Sequence, residues 1–584
     1  MSAPGFFDRL KKLDHLHRVA LRLPFLTATL RAGSYAAYRA LELALQRAHP
    51  HQRVVAQARV LQAAASQKER PASKKVLFFT VRGWYIHAST EAVLAKALEM
   101  RGAETSFFLC GGTLEQCDFK PGTDPFVTRP LCWRCTGFAR RLFEAFDLPV
   151  SFLEAYVDSD LRAAAEGAVA RMGRDELESF RYRDLPLFDW VQASVQRSLL
   201  RGDIGEDPFS ERVLRGFLKS AVLYVEACEK LLDGEDPQVV VMTNGLFFAE
   251  RIMLEAARRR GVAAVTYERG MPLNSVLFDH NQPAIRFDLD PHWPAARQRA
   301  LTEDESRELD TYLTARARGS VGVVDVWPSM ERDRETLYRK LRLSRDRPVV
   351  ALFTNVLWDS AVFGRDLGFA GMFDWLRSTL ELLSALPEVQ LVIRVHPAEV
   401  RIPMSESRDR AIDRISEEFP ELPPNVRLVG PEDPASSYTL VGFADAILVY
   451  TSTIGLEAAV RGKRVLVAGR THYRARGFTL DVEAKEGYRE LLLASFAGAA
   501  LSTEEVDLAR RYAHLFFFRF MHDFPWVVDT PRSARRLTFS DFAELRPGRH
   551  PVLDRICDAI LHGRPFVALD PEEPLPAVPL SEPR

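Results

Sequence analysis

One stretch limits the fold more than any other. Ala444 to Gly469 reads A-D-A-I-L-V-Y-T-S-T-I-G-L-E-A-A-V-R-G-K-R-V-L-V-A-G. Ala446 to Tyr450 is a short apolar run suited to a parallel strand buried on both faces. Thr451, Ser452 and Thr453 follow, and any one of them can N-cap the helix that carries Glu457. Gly462 closes that helix, and Arg464 to Ala468 is the next strand. A strand feeding a hydroxyl-rich helix start makes an anion site, because free N–H groups and the helix dipole both point at the ligand. Glu457 lies early enough in the helix to reach a ribose hydroxyl. The plainer reading of the same residues is an ordinary capped βαβ unit.

The strand–helix alternation recurs along the chain. Val76–Val81, Glu104–Leu109, Gln238–Thr243, Val262–Tyr267, Pro348–Thr354, Gln390–Val395 and Val426–Val429 read as strands with helical segments between them. This predicts an α/β chain with two Rossmann-like domains facing across a cleft. No G-x-G-x-x-G follows the first strand, so a dinucleotide fingerprint is absent. Ligands bind such sheets outside the strand C-termini. The residues at those ends are therefore the candidates: Asn355 with Asp359, Arg394 with His396, and Thr451 to Thr453 with Glu457. In the first half they are His87, in the loop after the first strand, and Asn244 with Glu268. A carboxylate at 268 is placed to act as a general base. A structural hydrogen bond for His87 and a salt bridge from Glu268 to Arg269 or another Arg are the plainer readings.

At 584 residues the chain is too long for one core. Its net charge of −1 argues against a nucleic-acid partner. The charge is uneven, with basic residues concentrated in the first 75. Residues 1–70 are expected to form a basic helical N-terminal extension. Phe6, Phe7, Leu10, Leu13, Leu16 and Val19 would make one apolar face for peripheral contact with an anionic membrane, or would pack on the body of the protein. Then follow a first Rossmann-like domain with a helical insertion (71–318), a connection (319–346) and a second Rossmann-like domain (347–502). C-terminal helices (503–562) and a disordered Pro-rich tail (563–584) complete the chain. No signal peptide is evident, and the apolar run near Val19 to Leu30 is too short to span a bilayer.

The chain has six cysteines, too few for a disulfide framework, so a reducing cytoplasm is the expected setting. Four of them, Cys110, Cys117, Cys132 and Cys135, fall in one short stretch. They suggest a structural zinc or iron–sulfur site. Reduced thiols or a redox-active C-x-x-C are the alternatives.

R-V-H-P at 394–397, T-S-T-I-G-L-E-A at 451–458, G-K-R-V at 462–465 and the loop from Tyr473 to Gly477 resemble the C-terminal half of GT-B glycosyltransferases. The resemblance is to bacterial capsule polysaccharide biosynthesis proteins, which include Kdo transferases, and it covers residues 348–482. It implies a CMP- or UDP-sugar as donor and a cell-surface glycan or lipid-linked glycan as acceptor, at the inner face of the membrane. Arg394 and His396 would hold the donor phosphate, Thr451, Ser452 and Thr453 would bind it from the other side, and Glu457 would contact the ribose. Glu268, with His87 as second candidate, would serve as base, and no metal cofactor would be required for catalysis. A sugar-nucleotide 2-epimerase of the same fold is the first rival, although that family's Arg-Pro-Glu element after the first helix is missing. A non-catalytic polysaccharide-assembly protein is the second.

Overall fold

A computed structural model describes residues 51–64, 74–114, 116–118, 129–319, 330–401, 407–528 and 535–569. The expected membrane face at Phe6 to Val19, part of the connection and the last fifteen residues of the tail lie outside the described residues.

The first half is a seven-stranded sheet. Its strands are β1 (Lys74–Phe79), β2 (Ala103–Leu109), β3 (Val150–Phe152), β4 (Val239–Thr243), β5 (Ala263–Arg269) and β6 (Ser275–His280). The second half is a six-stranded sheet of β7 (Val349–Phe353), β8 (Gln390–Arg394), β9 (Val426–Val429), β10 (Ala446–Val449), β11 (Arg464–Val467) and β12 (Leu480–Asp481). The seventh strand of the first sheet, β13 (His522–Asp523), comes from near the C-terminus.

Strand order is β13-β6-β5-β4-β1-β2-β3 in the first sheet and β12-β11-β10-β7-β8-β9 in the second. Every pair in the second sheet is parallel. In the first sheet only β6 and β13 run antiparallel to their neighbours. The central strands β4, β7, β8 and β10 are buried along their whole length. This is why they read as unbroken Val/Ile/Leu runs rather than alternating patterns. β1 and β2 are further tied by cross-strand rings: Phe78 stacks on Phe107 at 4.7 Å and Phe79 on Phe108 at 4.9 Å.

In each sheet the chain runs outward from the first strand, then returns to that strand's other side. The order therefore reverses between β1 and β4, and again between β7 and β10. Such reversals open a crevice at the strand C-termini. The candidate residues sit at these two crevices.

Three expectations need correcting. The helix after β1 begins at Tyr85, so His87 lies on its first turn and not in the preceding loop. Residues 503–562 do not form a separate helical unit. After the helix Thr503–His514 and the turn Leu515–Phe520 the chain crosses back, β13 pairs with β6, and the helix Pro551–His562 joins the first domain's core through Leu553, Ile556 and Ile560. The tail's first residues are ordered too, with Phe566 stacked on Phe278 at 5.0 Å. At the other end, the helix His51–Ala64 buries Val54, Val55, Ala58 and Leu61 in that same core. Its apolar face is thus turned to the protein body. Among the described residues no helix is long and apolar enough to cross a membrane.

The halves also touch directly. The N–H of Gly202 donates to Asp409 at 3.2 Å, and Arg414 pairs with Asp203 at 2.6 Å. The N–H of Arg408 donates to the Leu200 carbonyl at 3.0 Å.

Candidate functional site

A cavity of about 430 Å³ opens at the β7/β10 crevice. All eight donor-side candidates line it: Asn355, Asp359, Arg394, His396, Thr451, Ser452, Thr453 and Glu457. Met271, just beyond β5 of the other sheet, closes one side.

The strand ends place these groups, and their hydrogen bonds decide what each can offer. Asn355 uses its side-chain oxygen to accept the Thr451 N–H at 3.2 Å, which staples the end of β7 to that of β10. Arg394 lines the cavity with its Nη atoms already engaged and its Nε without a partner among the described residues. It is 2% exposed, and its guanidinium donates to the carbonyls of Gly430 and Asp433. Burial lowers its pKa to about 10. It fastens the loop after β9 and forms part of the cavity floor.

His396 differs from expectation in charge. The N–H of Ala398 donates to its Nδ1 at 3.1 Å, so in the neutral ring Nε2 carries the proton. The His396 N–H itself donates to the Thr354 hydroxyl at 3.0 Å. Burial is the largest influence on the ring and lowers its pKa; nearby Asp359 opposes this and Arg394 adds to it. His396 therefore presents a neutral Nε2–H donor, not an imidazolium.

The hydroxyl turn is held from behind. The Tyr473 hydroxyl donates to the Ser452 carbonyl at 2.6 Å, and the Gly455 N–H donates to the same carbonyl at 3.2 Å. Thr453 is the N-cap of the helix Ile454–Val460, yet its side chain makes no cap bond. Of the three expected hydroxyl caps it is Ser452 that contributes, its Oγ accepting the Ile454 N–H at 3.5 Å. Gly455 is required by packing. A Cβ there would lie 2.4 Å from the Tyr473 hydroxyl and 3.0 Å from Val449 Cγ2. Gly455→Ala is expected to push the helix start off Tyr473, costing about 1–3 kcal/mol. A melting temperature lowered by several degrees would check this.

Glu457 is 1% exposed and held by a residue that sequence reasoning did not single out. Arg316, on the helix Glu303–Ala317, donates from Nε (3.1 Å) and Nη2 (2.9 Å) to its Oε1. Tyr438 adjoins the pair, and its hydroxyl is pushed up in pKa by burial and then by the Glu457 charge. Arg316 lies 141 residues from its partner. No local spacing announces such a pair. Asp359, at the exposed rim, caps its own turn by accepting the Ala361 N–H at 3.2 Å. Beside it Arg197 of the first domain lies 4.4 Å over the Trp358 ring, a cation–π contact that ties the two halves at the cavity mouth.

Glu268 and His87 stand together in the first domain, at the β1/β4 crevice. The His87 Nε2 is 3.8 Å from Glu268 Oε1. Glu268 accepts the Arg269 N–H at 2.8 Å and the Asn244 side-chain N–H at 3.1 Å. Burial raises its pKa, and these bonds oppose the shift. The backbone N–H of Arg269 makes the direct contact, and the Arg269 and Arg82 charges also favour the carboxylate. Neither Glu268 nor His87 lines the donor-side cavity; Met271 stands at its edge instead.

Beneath this pair lies a buried charge cluster. Arg82 donates to Asp118 at 2.7 Å and also to Glu250, and all three side chains are 3% exposed or less. Of the four clustered cysteines, Cys110, Cys117 and Cys135 have thiol pKa values raised first by burial, that of Cys135 to about 12. No disulfide joins the cysteines. Among the described residues no three His, Cys, Asp or Glu side chains stand at metal-ligand spacing.

Comparison with known proteins bears on the second half. Residues 332–496 match the model of the capsule polysaccharide biosynthesis protein family. No curated protein sequence matches the chain. Among solved structures, the beta Kdo 2,4 transferase KpsC from Thermosulfurimonas dismutans is 16% identical over 52% of this chain and 86% of its own, with a TM-score of 0.32. The glycosyltransferase SnogD from Streptomyces nogalater is 17% identical over 76% and 96%, with a TM-score of 0.24. A UDP-N-acetylglucosamine 2-epimerase from Listeria monocytogenes is 10% identical over 77% and 93%, with a TM-score of 0.26. The segment that builds the second sheet and most of the cavity wall is thus similar to capsule polysaccharide biosynthesis proteins, on a chain of two Rossmann-like sheets.

Proposed function

We propose that this protein is a glycosyltransferase that moves a sugar from a nucleotide-activated donor to a growing cell-surface or capsular glycan. One observation carries the reading. A single cavity collects an imidazole whose Nε2–H is free to donate, three hydroxyl residues at the start of a helix and a carboxylate held by Arg316. That is the set of groups a nucleoside diphosphate or monophosphate needs: neutral donors for phosphate oxygens and a fixed acceptor for a ribose hydroxyl.

In this reading the nucleotide lies along the β7/β10 crevice. His396 Nε2–H and the Thr451 to Thr453 turn hold the phosphate, and Glu457, fixed by Arg316, accepts from the ribose. The acceptor hydroxyl attacks the anomeric carbon as the bond to the phosphate oxygen breaks. Charge grows on that phosphate, and donors already aimed at it stabilise the transition state. Glu268 takes the proton from the acceptor, with His87 beside it. The acceptor therefore enters between Met271 and the first domain's crevice.

The test is product analysis. Incubation with CMP-, UDP- and GDP-sugars and a glycan acceptor should release nucleotide only when the acceptor is present. Interconversion of the sugar without any acceptor would favour the epimerase. Neither outcome with any donor would favour a non-catalytic assembly role.

A further inference from the structure

Three arginines meet on the seam between the halves without a carboxylate to pair with. Arg365, in the loop after β7, ties the seam. Its Nη2 donates to the Ile285 carbonyl of the first domain at 2.9 Å, and its Nη1 to the Arg470 carbonyl at 3.5 Å. The Arg470 N–H returns a bond to the Arg365 carbonyl at 2.7 Å. Phe287, next to Arg286, sets its ring 5.3 Å from that of His472, two residues beyond Arg470. The backbone at 286, 365 and 470 is thereby gathered from three separate segments. None of the three arginines makes an ion pair among the described residues. The acidic groups of the same loops are committed elsewhere. Asp366 accepts from the Tyr450 hydroxyl, and Asp279 and Asp288 accept from the Gln282 amide at 3.0 and 3.1 Å. Arg286 and Arg470 are exposed and Arg365 is half-buried. Burial lowers the Arg365 pKa, and the charges of Arg286 and Arg470 lower it further. Like charges gathered without a counter-charge repel one another, and an anion set among them relieves that repulsion.

The cluster borders the donor-side cavity, which Asp359 and Thr451 help to line. Two turns lead from Asp359 to Arg365: the Val362 N–H donates to the Asp359 carbonyl at 3.0 Å and the Arg365 N–H to the Val362 carbonyl at 3.1 Å. A Cβ on Gly469, the residue before Arg470, would lie 3.0 Å from Thr451 Cγ2 and 3.2 Å from the Arg365 carbonyl oxygen. These loops are therefore pressed together beside the hydroxyl turn. On the other side, the loop that carries Arg286 packs on the end of β4. A Cβ on Gly245 would lie 3.2 Å from Pro283 Cα. Gly245 follows Asn244, whose side chain holds Glu268. The seam thus adjoins both the donor cavity and the support of the carboxylate assigned as base.

We propose that Arg286, Arg365 and Arg470 form an anion-binding site for the acceptor, so that the glycan entering the cleft is one that carries carboxylate or phosphate groups. The occupant's identity as acceptor rests on the transfer reading. Guanidinium groups suit the task, because their planar, paired N–H groups match the oxygens of a carboxylate or phosphate. Arg286 and Arg470 supply the contacts. Arg365, whose Nη atoms already hold the seam together, positions them and adds its charge.

The test is titration calorimetry of the full chain with an oligomer of galacturonic acid and with the neutral galactose oligomer of the same length. The acidic oligomer should bind, and the neutral one far more weakly. Raised salt should weaken the first and leave the second unchanged. The double variant Arg286→Gln/Arg470→Gln should bind the acidic oligomer roughly tenfold or more weakly, the loss expected for two charge-assisted contacts. Both side chains are exposed, so the variant should keep the native melting temperature and the native response to nucleotide. Equal binding of the two oligomers, no binding of the acidic one, or unchanged binding in the double variant would overturn the proposal. Inorganic phosphate bound as tightly as the oligomer would assign the site to a free anion. Phosphatidylglycerol vesicles bound in its place would assign it to a lipid surface. Either result overturns the glycan. Acidic oligomer bound by a chain that responds to no nucleotide would sink the transfer reading alone.

Discussion

His396→Ala is expected to lower turnover about 100- to 1,000-fold, the usual loss when one preorganised donor to a developing oxyanion is removed. The reason is the geometry of a single ring. Ala398 N–H fixes Nδ1 as acceptor, so Nε2–H is the donor that remains. Burial favours the neutral ring, so in the proposed reaction it would meet the leaving phosphate as a dipole. His396→Gln restores an N–H near the Nε2 position and should recover part of the rate. Equal turnover in His396→Ala and the native enzyme would remove this residue from the site.

The largest loss of stability is expected at Arg82→Met. Asp118 and Glu250 side chains are each 1% exposed, and Arg82 pairs with both. Removing the cation leaves two buried carboxylates without a counter-charge, a change that costs about 3–5 kcal/mol when one partner of a buried pair is deleted. Arg82→Lys should not rescue, since one ammonium cannot reproduce the fork that reaches two carboxylates. The sign of the pH dependence follows. Burial already raises the Glu250 pKa and Arg82 holds it down. Without Arg82 the folded pKa rises further above the unfolded value. The deficit should then be greatest at neutral pH and shrink as the pH falls toward about 4. Adding Asp118→Asn and Glu250→Gln should recover much of it. Thermal melts between pH 4 and 8 measure all three effects. A deficit unchanged across that range would exclude the electrostatic cause.

The parallel strands were readable because their signal is local. Val349–Phe353, Gln390–Arg394 and Ala446–Val449 are short apolar runs, and burial on both faces demands such runs. β3, β6, β12 and β13 were missed; β3, β12 and β13 are short edge strands, which carry little pattern of their own. β13, at His522–Asp523, is a strand only because the chain crosses back to β6. The positions of the candidate site were legible from strand ends, since the crevice rule needs only strand order. The chemistry of individual side chains was not. The sequence does not show that two of the Arg394 nitrogens go to the Gly430 and Asp433 carbonyls. His396 looks like a cation until the Ala398 N–H and its burial are known. Arg316 carries no signal at all, because its meaning depends on Glu457 across the cavity.

The convergence of His396, the hydroxyl turn and Glu457 on one nucleotide is tested most directly by binding. Native protein and His396→Ala should be melted with and without CMP, UDP and GDP. A ligand that binds only the folded state raises its melting temperature. One nucleotide should raise that of the native chain by several degrees at saturating concentration and shift His396→Ala far less. No shift with any nucleotide, or the same shift in both proteins, would contradict it.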